Sequence, residues 1–185
     1  MWLIFSFACI PSKSNDGIDS GSNTNDYVYT PTNTNNLEAD VNCEDLEGTP
    51  HPGATTYFAG EYLINGNSIT GTEEAIYVAN SSWADIIGSD ECRVTWAMTG
   101  EIIDFSACST CDLHIEVNAG IDEANSNCPE ELAGWESFWT GTYGIKRESD
   151  GSVTWYFGGT GAEFATGTYS DPQINFLSEG QCSWF

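Results

Sequence analysis

The chain has 185 residues, the size of one domain, and carries 28 Asp plus Glu against 4 Lys plus Arg, a formal net charge of -24. Nucleic acid and anionic lipid surfaces are excluded as electrostatic partners, because both need clustered Lys and Arg and the sole adjacent basic pair is Lys146-Arg147. A hydrophobic content of 40%, with 7 Trp, 8 Tyr and 9 Phe, excludes wholesale disorder.

Met1 to Ala8 is an uncharged apolar run that stops at Cys9, with Pro11, Ser12 and Lys13 just beyond. It is far too short to span a bilayer. The segment Ser6-Phe7-Ala8-Cys9 resembles the lipobox of bacterial lipoproteins, in which the signal peptide is cut before the cysteine and the cysteine receives lipid. That resemblance implies residues 1–8 as the signal peptide, Cys9 as the lipidation site, and a membrane partner reached through lipid. Taken from composition alone, the same residues also fit a buried N-terminal strand with a free thiol.

Residues 10–40 are dominated by Ser, Asn, Thr, Asp and Gly, as in Ser20-Gly21-Ser22-Asn23-Thr24-Asn25. So few apolar groups cannot offset the entropy of ordering, and the segment is expected to be a disordered tether reaching roughly 30 Å. The predicted layout is thus a lipid-anchor cysteine with a polar tether over 9–40, followed by a folded domain over 41–185.

Period-two alternation predicts strands through that domain. In chain order they are 56–64, 68–79, a strand around Cys92, Val94, Trp96 and Met98, a strand around Leu113, Ile115 and Val117, then 137–147, 152–158, 162–169 and 173–178. Weak helical signals lie at 82–88 and 129–132. Asn65-Gly66 suits a two-residue type I′ turn that sets Tyr62 opposite Ile69. At Asp150-Gly151, a three-residue loop Ser149-Asp150-Gly151 pairs Ile145 with Trp155 and Tyr143 with Phe157, which keeps one face apolar on both strands. Gly151 is then expected in the left-handed conformation. About eight strands predict an all-β, antiparallel barrel or sandwich, and a barrel would remove the open edges that threaten such sheets.

Setting Cys9 aside leaves Cys43, Cys92, Cys108, Cys111, Cys128 and Cys182. An even count predicts three disulfides in an oxidising compartment, so the domain is expected to be disulfide-braced. A Cys43–Cys182 bridge would clip the domain ends and close a loop of about 140 residues, worth up to roughly 5 kcal/mol. The other four would share two bridges in an open order. Cys108-Ser109-Thr110-Cys111 has the spacing of a redox pair, but the chain from Asp112 onwards reads as a strand, not the helix such pairs open. Structural half-cystines are the preferred reading, over redox catalysis or a zinc site.

Cys9 with its polar tether, Glu91-Cys92-Arg93-Val94-Thr95-Trp96 leading to Thr99-Gly100, and Cys108-Ser109-Thr110-Cys111-Asp112 together resemble surface lipoproteins of myxobacteria and related bacteria. That group has no assigned activity, so the resemblance implies an address and an architecture.

No nucleophile elbow, phosphate loop, dinucleotide turn or zinc-protease motif occurs, and no cofactor is expected. Acidic neighbours such as Glu73-Glu74 and Glu130-Glu131 are expected to belong to a solvated acidic surface, not to act as general acid and base. Asp112, His114 and Glu116 share one strand face about 7 Å apart in succession, which could converge on a divalent metal. The alternative is the wet face of a strand whose other face is apolar. Trp155-Tyr156-Phe157 and Tyr57-Phe58 place rings on both strand faces, so Tyr156 could stack on a sugar, unless a loop or tether covers it. The leading expectation is a non-enzymatic, lipid-anchored cell-envelope protein with a binding or structural role and a carbohydrate or protein ligand. A secreted carboxylate- or metal-dependent hydrolase and a carbohydrate-binding module are the alternatives.

Overall fold

Strand alternation sorts the domain into an apolar inward set and a polar outward set, and closure of the sheet gives the inward set a place to go. The computed structural model describes residues 29–38, 54–79, 88–128 and 141–183, together with Ala84. Among these, nine strands form one antiparallel sheet: β1 (Ala54–Asn65), β2 (Ser68–Ala79), β3 (Glu91–Ile102), β4 (Leu113–Ile121), β5 (Gly141–Arg147), β6 (Ser152–Phe157), β7 (Glu163–Ser170), β8 (Gln173–Leu177) and β9 (Gln181–Ser183). Each of the first eight pairs with its sequence neighbour, and β1 pairs with both β2 and β8. The result is a closed up-and-down barrel of eight strands. The short ninth strand pairs with Ala54–Thr56 at the start of β1.

Closure settles the choice between barrel and sandwich. The inward residues meet across a narrow interior and fill it, as eight strands allow. Trp96, Trp155, Tyr62, Met98, Ile115, Ile145 and Ile174 are all buried there. The Trp155 ring lies 4.8 Å from that of Phe176, 5.4 Å from Tyr62 and 5.9 Å, edge-on, from Tyr143, tilted geometries that favour aromatic pairs.

The hairpin between β5 and β6 has the expected register. Ile145 faces Trp155, Tyr143 faces Phe157, and Gly151 has a φ of 88°. The hairpin between β1 and β2 differs from expectation. Asn65 pairs with Ser68 and Ile64 with Ile69, so Tyr62 lies opposite Gly71, not Ile69, and the loop is Gly66-Asn67. The two registers differ by two residues and keep the same side chains inward, so alternation cannot choose between them. Backbone strain does: Gly66 takes the positive φ of 64° at the first central position, as a type II′ turn requires, and no non-glycine residue is forced there.

Cys92 bonds to Cys128, and Cys108 to Cys111. Cys182 is also disulfide-bonded; its expected partner Cys43 lies outside the described residues, as do the signal segment 1–8, Cys9 and nearly all of the two helical signals. The Cys92–Cys128 bridge fastens the chain after β4 back along β3, where Asp122 N donates to Thr95 O (2.8 Å) and Thr95 N to Ser126 Oγ (2.9 Å). The connection from β3 to β4 folds over the barrel wall, with Ala107 N donating to Gly158 O at 2.7 Å. Its Cys108–Cys111 bridge lies so close to Gly144 that a Cβ there would sit 2.7 Å from Cys108 Cβ.

Candidate functional site

The unusual chemistry centres on two adjacent carboxylates of β2. Both Glu73 and Glu74 are buried, at 2% and 3% exposure, which corrects their assignment to a solvated acidic surface. Alternation sends their side chains to opposite faces of the wall, so they do not form an acid–base pair.

Glu73 points into the barrel, laterally between Gly60 of β1 and Trp96 of β3. Tyr62 Oη donates to its carboxylate. Burial pushes the Glu73 carboxyl up to about 8, with the Tyr62 hydrogen bond pulling the other way. Arg93, Lys146 and Arg147, the cations among the described residues, are each ion-paired elsewhere, so none neutralises it. Glu73 therefore sits in the core as a neutral acid at pH 7. Burial, with the Glu73 charge behind it, also raises the Tyr143 hydroxyl.

Glu74 points outward and is covered by the chain itself. Tyr29 Oη donates to Glu74, Thr32 N donates to Glu74 Oε2 at 3.0 Å, and Arg93 bonds Glu74 at 2.8 Å and Glu91 at 2.9 Å. Burial alone would raise the Glu74 carboxyl; the Thr32 and Tyr29 hydrogen bonds and the Arg93 guanidinium outweigh it and hold the group below the usual carboxylate value. Farther along, Tyr57 Oη donates to Glu38 O at 2.9 Å. Residues 29–38, assigned by composition to the flexible tether, thus form a strap along the wall. The reason is a long-range polar network that composition does not display.

Between the strap and the wall lies a groove of about 290 Å³, roofed by Tyr29 to Thr32 and floored by Ala59, Thr72, Asn175 and Leu177, with Glu61 beside them. Its mixture of hydroxyl, amide, carboxylate and apolar surface can orient a ligand by hydrogen bonds while burying part of it. Tyr29→Phe should remove one charge-assisted hydrogen bond and weaken strap docking by about 1.5 kcal/mol. Hydrogen exchange is the check: the Thr32 amide should exchange roughly tenfold faster while the β4–β6 amides keep their rates, and an unchanged Thr32 rate would show that Glu74 does not hold the strap.

The other sequence-derived candidates fall in separate places. The Asp112 carboxylate accepts from Arg147 Nε (2.7 Å) and from the Arg147 backbone N (3.2 Å), His114 Nδ1 is 2.8 Å from Ser106 Oγ, and Glu116 is exposed. The three do not converge, and no cluster of three metal-ligating side chains occurs among the described residues. Tyr156 is half-buried opposite Gly144, the residue beneath the Cys108–Cys111 bridge. The Tyr57 hydroxyl is occupied by the strap. Sequence reasoning missed Glu73 as a core residue, although the stripe Ile69, Gly71, Glu73, Ala75, Tyr77 carries the signal: a carboxylate in the middle of an apolar inward set. No family model, curated protein or solved structure compared with this chain matches it.

Proposed function

We propose that this chain is a lipid-anchored protein of the bacterial cell envelope, acylated at Cys9 after removal of residues 1–8, with a barrel that serves a binding or structural role and not a catalytic one. The observation that carries the address is the sulfur chemistry: Cys92, Cys108, Cys111, Cys128 and Cys182 are all disulfide-bonded, a state that persists outside the reducing cytoplasm. The filled interior supports a role exerted at the outer surface, where the strap-roofed groove lies. The separation of Glu73 from Glu74 by the wall, and the distinct pairings of Asp112 and His114, favour binding over carboxylate or metal hydrolysis.

Intact mass spectrometry of protein from its native cells, with and without reductive alkylation, tests this reading. The expected mass lacks residues 1–8 and carries acyl additions, and the six remaining cysteines take up alkylating agent after reduction only. A mature mass retaining Met1, or thiols that alkylate without reduction, would overturn it.

A further inference from the structure

Beside the groove, the described strands close the barrel but leave a seam at one end of the wall. β8 ends at Leu177, opposite Thr166 of β7. β9 then pairs with β1, not with β7. Glu163 to Ala165 therefore lie against β6 on one side, and among the described residues no strand pairs with them on the other. Such an edge presents backbone N–H and C=O groups to whatever extended segment arrives.

Two side chains point to an occupant of this seam. Phe157 and Leu177 are 43% and 39% exposed, two of the three exposed large hydrophobics among the described residues. Both line a hollow of about 410 Å³ along the seam, and Leu177 and Thr166 join it to the groove beneath the strap. Phe157 is held in place by stacking on Phe164, with ring centroids 4.7 Å apart. The acidic Glu163 and Glu179, both exposed, flank the same hollow. Apolar anchors beside an unpaired strand edge are what strand addition uses: the main chain supplies affinity and alternate side chains supply specificity. The charge decides the class of partner. A second copy of this chain would bring a net charge of -24 against the same charge, whereas a cationic segment meets Glu163 and Glu179 favourably.

We propose that this furrow docks an extended polypeptide segment of a partner protein, alternating basic and apolar residues, which adds a strand to Glu163–Ala165 and sets its cations against Glu163 and Glu179. The proposal rests on the reading of the barrel as a binding head and names its partner class. Its test is independent of the lipid anchor, because Cys9 acylation has no part in it.

The probe is a ten-residue peptide of alternating Lys and Val, titrated into the isotopically labelled full chain and followed by amide chemical shifts. Shifts are expected at 163–165 and 177–181. In Glu163→Gln/Glu179→Gln, and separately in Leu177→Lys, the Kd should weaken by about tenfold; all three positions are exposed, and circular dichroism verifies folding. A diffuse attraction to 28 carboxylates would barely notice the loss of two. A Glu–Val peptide and a Lys–Val peptide N-methylated along its pairing edge should not bind. The proposal is overturned by equal binding of the Lys and Glu peptides, by unchanged affinity in the variants, or by a polysaccharide that shifts these amides when the peptide does not. It also falls if the 163–165 amides are already protected from exchange in the free chain, which would place another segment of the protein on the edge, or if Leu177→Lys abolishes a concentration-dependent dimer.

Discussion

Glu73→Gln should make the protein more stable at pH 7 to 8 and remove a pH dependence that the natural chain carries. The direction of the shift sets the sign. In the unfolded chain the carboxyl has its ordinary value of 4.5; in the barrel, burial pushes it up to about 8. Between those values the folded state holds a proton that the unfolded state has released, so stability falls as pH rises through the window and levels off above it. The loss is about 1.4 kcal/mol per pH unit, reaching roughly 3 kcal/mol at pH 7. Glutamine keeps an acceptor for Tyr62 and has no proton to lose. Urea unfolding of both proteins from pH 4 to 9 checks this, because the difference between them cancels the other carboxylates. The stability gap should be near zero or negative at pH 4.5, where only the cost of burying an amide remains, and should widen steadily to pH 8. A gap that stays constant across the range would show that Glu73 does not titrate between the two states.

The second large effect is expected at Cys92–Cys128. The two residues are 36 apart in sequence, against 3 for Cys108–Cys111. On the chain-entropy account, the long closure contributes about 4 kcal/mol and the short one about 2 kcal/mol. Paired alanine substitutions, Cys92→Ala/Cys128→Ala and Cys108→Ala/Cys111→Ala, should separate in that order by denaturant unfolding. The first pair should also release residues 122–128 from β3, read as faster exchange of the Asp122 and Thr95 amides, which donate across that contact at 2.8 Å and 2.9 Å. If the short bridge proves the costlier to lose, its value lies in holding the β3–β4 connection over Gly144 and not in loop entropy.

The Glu73–Glu74 pair serves both faces of the barrel wall. One strand carries a proton-binding acid into the core and, one residue later, a carboxylate that fixes the strap roofing the groove. The first makes barrel stability respond to pH, and the second shapes the surface that a partner would meet. The same wall thus separates an acid whose proton affects stability from a carboxylate that holds the strap over the groove.

Much of the barrel was legible in local pattern. Strand positions derive from period-two alternation, which reports the two faces of a pleated chain without knowledge of what lies opposite. The Ser149-Asp150-Gly151 loop could be read because a two-residue loop would set Trp155 beside Lys146, whereas the three-residue loop keeps Ile145, Trp155, Tyr143 and Phe157 on a common face and a left-handed glycine fits it. At Gly66 the competing registers bury the same residues, so the hydrophobic pattern is silent and turn strain decides. Oxidised cysteines could be anticipated from their even number, but their partners depend on where strands stand in space.

Tertiary structure alone decided that β1 meets β8, that Tyr29 and Thr32 reach Glu74 across more than forty residues of chain, and that Asp112 and His114 turn to different partners. It also decided that, among the described residues, no strand pairs with the free side of Glu163–Ala165. Alternation says which side chains share a face, because that is fixed by the geometry of neighbouring peptide units. Whether a face meets water, another strand or a distant strap is fixed by contacts between residues far apart in sequence, and no local pattern encodes them.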